Sequence, residues 1–139
     1  MRYWLLKSEP SVWSWDDQVK AGVKGTHWSG VRNHVAKQNL QAMKKGDRAF
    51  FYHSNEGKEI LGIVEVIREA YPDDSDSTGK FCMVDVKAVA PLKKPVTLAQ
   101  IKTTKALAQM SLVTSARLSV QPVIAGEWKL ICEMGEVKF

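Results

Sequence analysis

The chain has 139 residues, 45% of them hydrophobic and 25% charged, with a net charge of +5. That length suits one domain, residues 1–139, with a core of its own, and the balance is that of a globular chain rather than a disordered or fibrous one. No apolar run approaches the ~18 residues of a membrane span, and "MRYWLLKSEPSVW" turns polar too soon for the apolar stretch of a secretory signal.

In chain order, "YWLLK" is expected as a short opening strand, broken by "SEP", where Pro10 ends regular pairing. Ser14 is placed to cap a short helix, "WDDQVKAG", with Asp16 and Asp17 in its first turn and Gly22 at its end. A second helix is expected from Ser29 or Gly30 to Gly46. Projected at about 100° per residue, its apolar residues Val31, Val35, Ala36, Leu40 and Met43 share one half-circle. Arg32 and Asn39 fall in the middle of that arc, while His34, Lys37, Gln41 and Lys45 fall opposite. "DRAFFYHS" and "EILGIVEVI" form two strands around a turn at "NEG", and "FCMVDVKAV" forms another. Thr97 opens a capping box, "TLAQ", for a short helix. "RLSVQPV" is extended, with Pro122 marking an edge, and "EWKLICEMG" closes the chain as a helix. Consecutive strands joined by tight turns call for antiparallel pairing. The expected class is therefore α+β, a curved sheet or small barrel with flanking helices, and not a parallel doubly wound sheet.

Cys82 and Cys132 lie in apolar segments without metal-ligand spacing, which makes them small core residues of a reducing compartment: cytoplasm, or nucleus in a eukaryote. Charge is unevenly spread. Lys20 to Arg48 carries seven basic residues against one acid, Val86 to Gly126 six and none, and Glu56 to Gly79 two bases against seven acids. Such separation favours a positive face for an anionic partner, phosphate backbone being the commonest. Mixed solvated surface is the plainer account of the same numbers.

Familiar catalytic and metal patterns do not fit. "DSDSTG" at Asp74 to Gly79 has calcium-loop spacing, but it lacks flanking helices and carries Asp85 where a longer carboxylate belongs, so it reads as a polar, mobile turn. There is no GxSxG elbow, no Gly-rich phosphate loop and no zinc spacing. His53 and Ser54 adjoin at a strand end, where alternation sends neighbours to opposite faces. What remains is a set of polar residues at the ends of apolar segments, beside aromatics. They are Lys7, Ser8 and Glu9; Trp28; Arg32 and Asn33; His53 and Ser54; and Arg117 and Ser119. This set suits a flat ligand with a hydrogen-bonding edge, such as a nucleobase. A helix start at Gly30 and Val31 would offer free amides, and Arg32 and Arg117 two-pronged phosphate contacts. For Trp28 the plainer role is core packing, and for Arg32 and Asn39 a buried polar network. Asn39 is assigned to structure because it lies two turns from the pocket end.

The strings "YWLLKSEPSVWSWDDQ", "HWSGVRNHVAKQNLQAMKKGDRAFFYHS", "GIVEVIREAYPD", "PVTLAQIK" and "RLSVQPV" together resemble the EVE domain family, itself similar to the thymocyte nuclear protein family, over essentially the whole chain. The resemblance implies a PUA-like fold, similar in architecture to YTH and ASCH modules. It also implies a non-catalytic module that takes a modified base, especially modified cytosine in DNA, into a pocket. On the matching positions the base pocket would be built from Lys7, Ser8, Glu9, Trp28, Val31, Arg32, Asn33, Tyr52, His53, Ser54, Arg117, Leu118 and Ser119. Gly30, Arg32, Lys37 and Arg117 would meet the nucleic-acid backbone. The expected partner is DNA or RNA, bound by a monomer without cofactor, metal or membrane. The residues also leave open an enzyme acting on a nucleotide or small heterocycle, with His53 or Glu9 as acid/base.

Overall fold

The computed structural model describes residues 1–139, and six strands form one sheet in the order β2-β5-β4-β3-β1-β6. The strands are β1 (Tyr3–Ser8), β2 (Thr26–Trp28), β3 (Arg48–His53), β4 (Glu59–Pro72), β5 (Cys82–Thr97) and β6 (Val120–Val123). The helices are α1 (Trp15–Lys20), α2 (His34–Ala42), α3 (Leu98–Thr103), α4 (Ser111–Thr114) and α5 (Ala125–Met134). The class is α+β, as expected. Four of the five strand pairs are antiparallel, but β1 runs parallel to β3, a pairing that the hairpin pattern did not indicate. No helix is long and apolar enough to cross a membrane.

Both faces of the sheet are covered, which explains why "YWLL" and "AFFY" are continuous apolar runs rather than alternating ones. One face gathers Trp4, Leu6, Trp15, Trp28, Ala36, Leu40, Phe51 and Val84; the other gathers Leu5, Phe50, Tyr52, Ile63, Leu107 and Trp128. One register shift between β3 and β4, and four between β4 and β5, interrupt the ladder and bend the long central hairpin. Gly62 lies where Trp15 crosses the sheet: a Cβ there would enter the indole ring.

Local chemistry sets the helix ends. Ser14 with Asp17, and Thr97 with Gln100, form reciprocal capping boxes on α1 and α3. The second helix departs from expectation. It starts at His34, because Asn33 accepts the Ala36 N–H as N-cap and Gly30 adopts φ +80°, outside helical geometry. Val31 and Arg32 therefore precede the helix, and the inward arc drawn through Arg32 does not exist. Val35, on the same predicted arc, is 52% exposed. Asn39 does point inward, where its amide donates to the Val120 carbonyl at 2.7 Å and ties α2 to β6.

Candidate base-binding cavity

A hollow of about 560 Å³ opens where β1 ends, beside the free edge of β2. It is lined by Lys7, Ser8, Glu9, Val12, Trp13, Thr26, His27, Trp28 and Ser29. Backbone closure builds its first wall. The Ser54 N–H donates to the Ser8 carbonyl, and the amides of Val12 and Trp13 both donate to the Glu9 carbonyl, folding "SEPSVW" into a tight loop. The Ser8 hydroxyl then donates to the Trp13 carbonyl at 2.6 Å, leaving its oxygen lone pairs for a ligand.

Trp13 is held by a residue far from any pocket motif. Its indole N–H donates to Gln18 Oε1 at 2.9 Å, and the wholly buried Gln18 donates in turn to the Val86 carbonyl at 3.2 Å. The half-buried Trp13 ring is thereby fixed against β5 at the edge of the hollow. Trp28 forms part of the second wall, but it is 7% exposed and packs edge-on against Phe51 at 5.5 Å between ring centres. It is a core residue with one side facing the hollow, rather than a ring standing free at the rim.

Lys7 joins this hollow to a second. Its ammonium donates to the Ala116 carbonyl at 2.5 Å, and its amide to the Ser119 carbonyl at 2.9 Å. Burial holds the Lys7 pKa below the usual lysine range. The second hollow, of about 420 Å³, is lined by Asn33, Val35, Ser115, Ala116, Arg117 and Leu118. Its 115–118 segment is organised from below by buried Gln121, whose amide nitrogen lies within hydrogen-bond reach of the Ser111, Ser115 and Leu118 carbonyls.

Of the predicted set, Lys7, Ser8, Glu9 and Trp28 line the main hollow. Asn33, Arg117 and Leu118 line the second, and Ser119 contributes its carbonyl to Lys7. The remaining residues are elsewhere. Val31 is a buried core residue. Arg32 turns away to Asp73 Oδ2 at 3.2 Å and Ser75 Oγ at 2.9 Å, with its guanidinium 5.4 Å from the Phe81 ring centre. The Gly30 amide is no free donor for phosphate, because it donates to Asp73 Oδ2 at 2.8 Å. Lys37 lies near the Phe81 ring, in a separate hollow of about 500 Å³. Tyr52 is 3% exposed on the opposite face of the sheet, since alternation along β3 sends Phe51 and Tyr52 apart.

His53 is engaged structurally. Its Nε2 accepts the Trp15 N–H at 3.0 Å, which requires a bare nitrogen, and burial lowers its pKa to match. That contact joins the end of β3 to the start of α1 and removes His53 as the base of an enzyme reading. Ser54 serves the same corner through its backbone. The 73–81 turn is built around its own carboxylates: Asp73 accepts from Gly30, Arg32 and Ser75, while Asp76 accepts from Thr78, Lys80 and Phe81. The Thr78 hydroxyl above all keeps the Asp76 carboxyl far below the usual range, against a smaller opposing effect of burial.

Sequence reasoning missed Val12, Trp13, Thr26, His27 and Ser29. Trp13 had a signal: a tryptophan one turn after "KSEP", in a loop anchored at a strand end. Thr26 and His27 had none, because a three-residue edge strand carries too little alternation to be recognised.

Residues 2–134 match the EVE domain family. Thymocyte nuclear protein 1 of Gallus gallus is 38% identical over 98% of this chain and 69% of its own length. Among solved structures, Rpa0253 from Rhodopseudomonas palustris is 64% identical with TM-score 0.93, covering 98% of this chain and 94% of its own. Human THYN1, in complex with DNA containing 5-methylcytosine, is 35% identical with TM-score 0.89 over the whole of both chains.

Proposed function

This chain belongs to the EVE domain family, and on that footing we propose that it is a non-catalytic module that binds a modified base within nucleic acid. The observation that carries this reading is the 560 Å³ hollow, flanked by two indoles and edged by Lys7, Ser8 and Glu9. A volume of that order is usual for a small-ligand site, and its mix of ring faces with a few fixed polar groups suits a flat heterocycle. The human relative in complex with 5-methylcytosine DNA supports modified cytosine as the ligand class.

In this mechanism the base leaves its stack, at a cost of a few kcal/mol, and enters the hollow beside Trp13. The inner face of Trp28 and the side chain of Val12 provide apolar wall for a methyl-sized substituent. Ser8 offers acceptor lone pairs, Glu9 a carboxylate, and Ser29 a hydroxyl to the base edge. Lys7 and Arg117 carry positive charge from this hollow to the next, along the path a strand would follow away from the extruded base.

The test is a binding screen of oligonucleotides bearing unmodified, methylated and hydroxymethylated cytosines and adenines, in both sugars. The expected result is a preference for one modified base that Trp13→Ala abolishes. Equal affinity for modified and unmodified strands would overturn the reading.

A further inference from the structure

The outer face of β2 holds a hydrogen-bonded cluster at the edge of the cavity, to which base binding assigns no role. His27 pairs with Asp85 of β5, and Tyr71 of β4 reaches both. His27 Nδ1 lies 2.8 Å from Asp85 Oδ1 and 2.8 Å from the Tyr71 hydroxyl oxygen, while that hydroxyl lies 2.5 Å from the same Asp85 oxygen. We propose that Asp85 and Tyr71 hold His27 as a proton-dependent phosphate contact at the mouth of the cavity, gripping the backbone beside the inserted base. This rests on the base-binding reading above.

Hydrogen accounting fixes the orientation. Burial and the hydrogen bond to Asp85 raise the Tyr71 pKa to about 12, so its hydroxyl remains a donor, and Asp85 is its acceptor. A bare Nδ1 would then face a carboxylate oxygen lone pair to lone pair at 2.8 Å. Nδ1 must therefore carry hydrogen, whatever the charge on the ring. Nε2 has no protein partner, and the His27 side chain is 65% exposed. Neutral, Nε2 accepts; protonated, it becomes a second N–H donor on a cation, the form that binds phosphate.

Position selects phosphate over base. Alternation along β2 buries Trp28 on the core face and turns His27 to the other, so its ring stands beside the hollow that His27 helps to line. A group there meets the strand flanking an extruded base. The other charged groups in reach are Arg68, whose guanidinium lies 3.5 Å from the Tyr71 ring centre, and Asp74 from the turn after β4. Lys7 and Glu9 face it across the hollow. Arg68 adds a second cation to the same face, and Asp85 Oδ1 is already occupied by the Tyr71 and His27 donors.

The experiment measures affinity for one modified-base oligonucleotide and its unmodified twin between about pH 5.5 and 8, at several salt concentrations. Wild type should bind about tenfold tighter at the acid end, the order of gain one added charge-assisted hydrogen bond to phosphate supplies. Its salt dependence there should steepen by about 0.9 in the log–log slope, one additional phosphate neutralised on duplex DNA. His27→Gln should lose the acid gain and the steeper slope while keeping the modified-to-unmodified ratio and its melting temperature. Tyr71→Phe should weaken the acid gain, and nitrogen NMR of wild-type His27 should find neutral imidazole protonated at Nδ1. A wild-type affinity flat with pH but still selective for the modified base overturns this proposal alone. So does a His27→Gln protein that keeps the acid gain, or one whose modified-base ratio collapses. No binding to any oligonucleotide at any pH overturns it together with the base-binding reading.

Discussion

Trp28→Ala should damage the fold more than any contact made at the cavity surface. Trp28 is 7% exposed and packs against Phe51 inside the layer that also holds Trp4, Trp15 and Leu40. Removing a buried tryptophan costs about 3–5 kcal/mol, including the cavity left behind. For a chain of this length each kcal/mol lowers the melting temperature by roughly 3–5 °C, so a fall of about 10–20 °C is expected. Trp13→Ala should behave oppositely, because that ring is half-buried at the cavity edge. It should cost on the order of 1–2 kcal/mol of stability, mainly by leaving Gln18 Oε1 without its donor. Loss of a stacked base should weaken modified-oligonucleotide binding by about 1–3 kcal/mol, or roughly 5- to 150-fold. Urea titration and calorimetric binding on both variants separate the two effects. If Trp28→Ala melts within a few degrees of wild type while binding disappears, Trp28 is a free stacking platform and the burial argument is wrong. If Trp13→Ala binds like wild type, the hollow is not where the base goes.

Gly62→Ala should destabilise the protein by about 1–3 kcal/mol, read as a lower urea midpoint, because the added methyl enters the Trp15 ring. His53 is held neutral with a lowered pKa, so the unfolded chain binds its proton more readily. Stability should therefore fall as pH drops below about 6.5, and His53→Asn should remove that segment of the pH–stability curve. Asp47→Asn should flatten a separate, more acidic limb. Burial raises the Asp47 carboxyl, but hydrogen bonds from Lys44, Arg2 and Trp4 outweigh it and hold the pKa low. Its contribution is present above about pH 4 and disappears as pH falls through the folded value, which acid titration of the melting temperature will show.

Much of the fold was legible in the sequence because its signals are local. Ser14–Asp17 and Thr97–Gln100 are reciprocal caps written within four residues, and both appear in place. Pro122 marked an edge strand and β6 is one. "YWLL" and "AFFY" announced strands by composition, and the fold brings "KSE" and Trp28 to the lining of one hollow. The second helix was misjudged in two ways: its cap, Asn33, is a local signal that the projection passed over, and Asp73 holds the Gly30 amide outside the helix through a bond spanning 43 residues, which no projection can register.

Only the tertiary structure decided which polar residues are spent on the fold and which remain for a ligand. Arg32 and His53 look like site residues in a string, yet each satisfies a partner far along the chain. Trp13 and His27 look incidental, yet Gln18 fixes one at the cavity edge, and Asp85 with Tyr71 fixes the other at its mouth. A side chain's residue type states what it can bond. Whether that capacity is already filled depends on hydrogen-bond partners that the fold brings together from opposite parts of the chain.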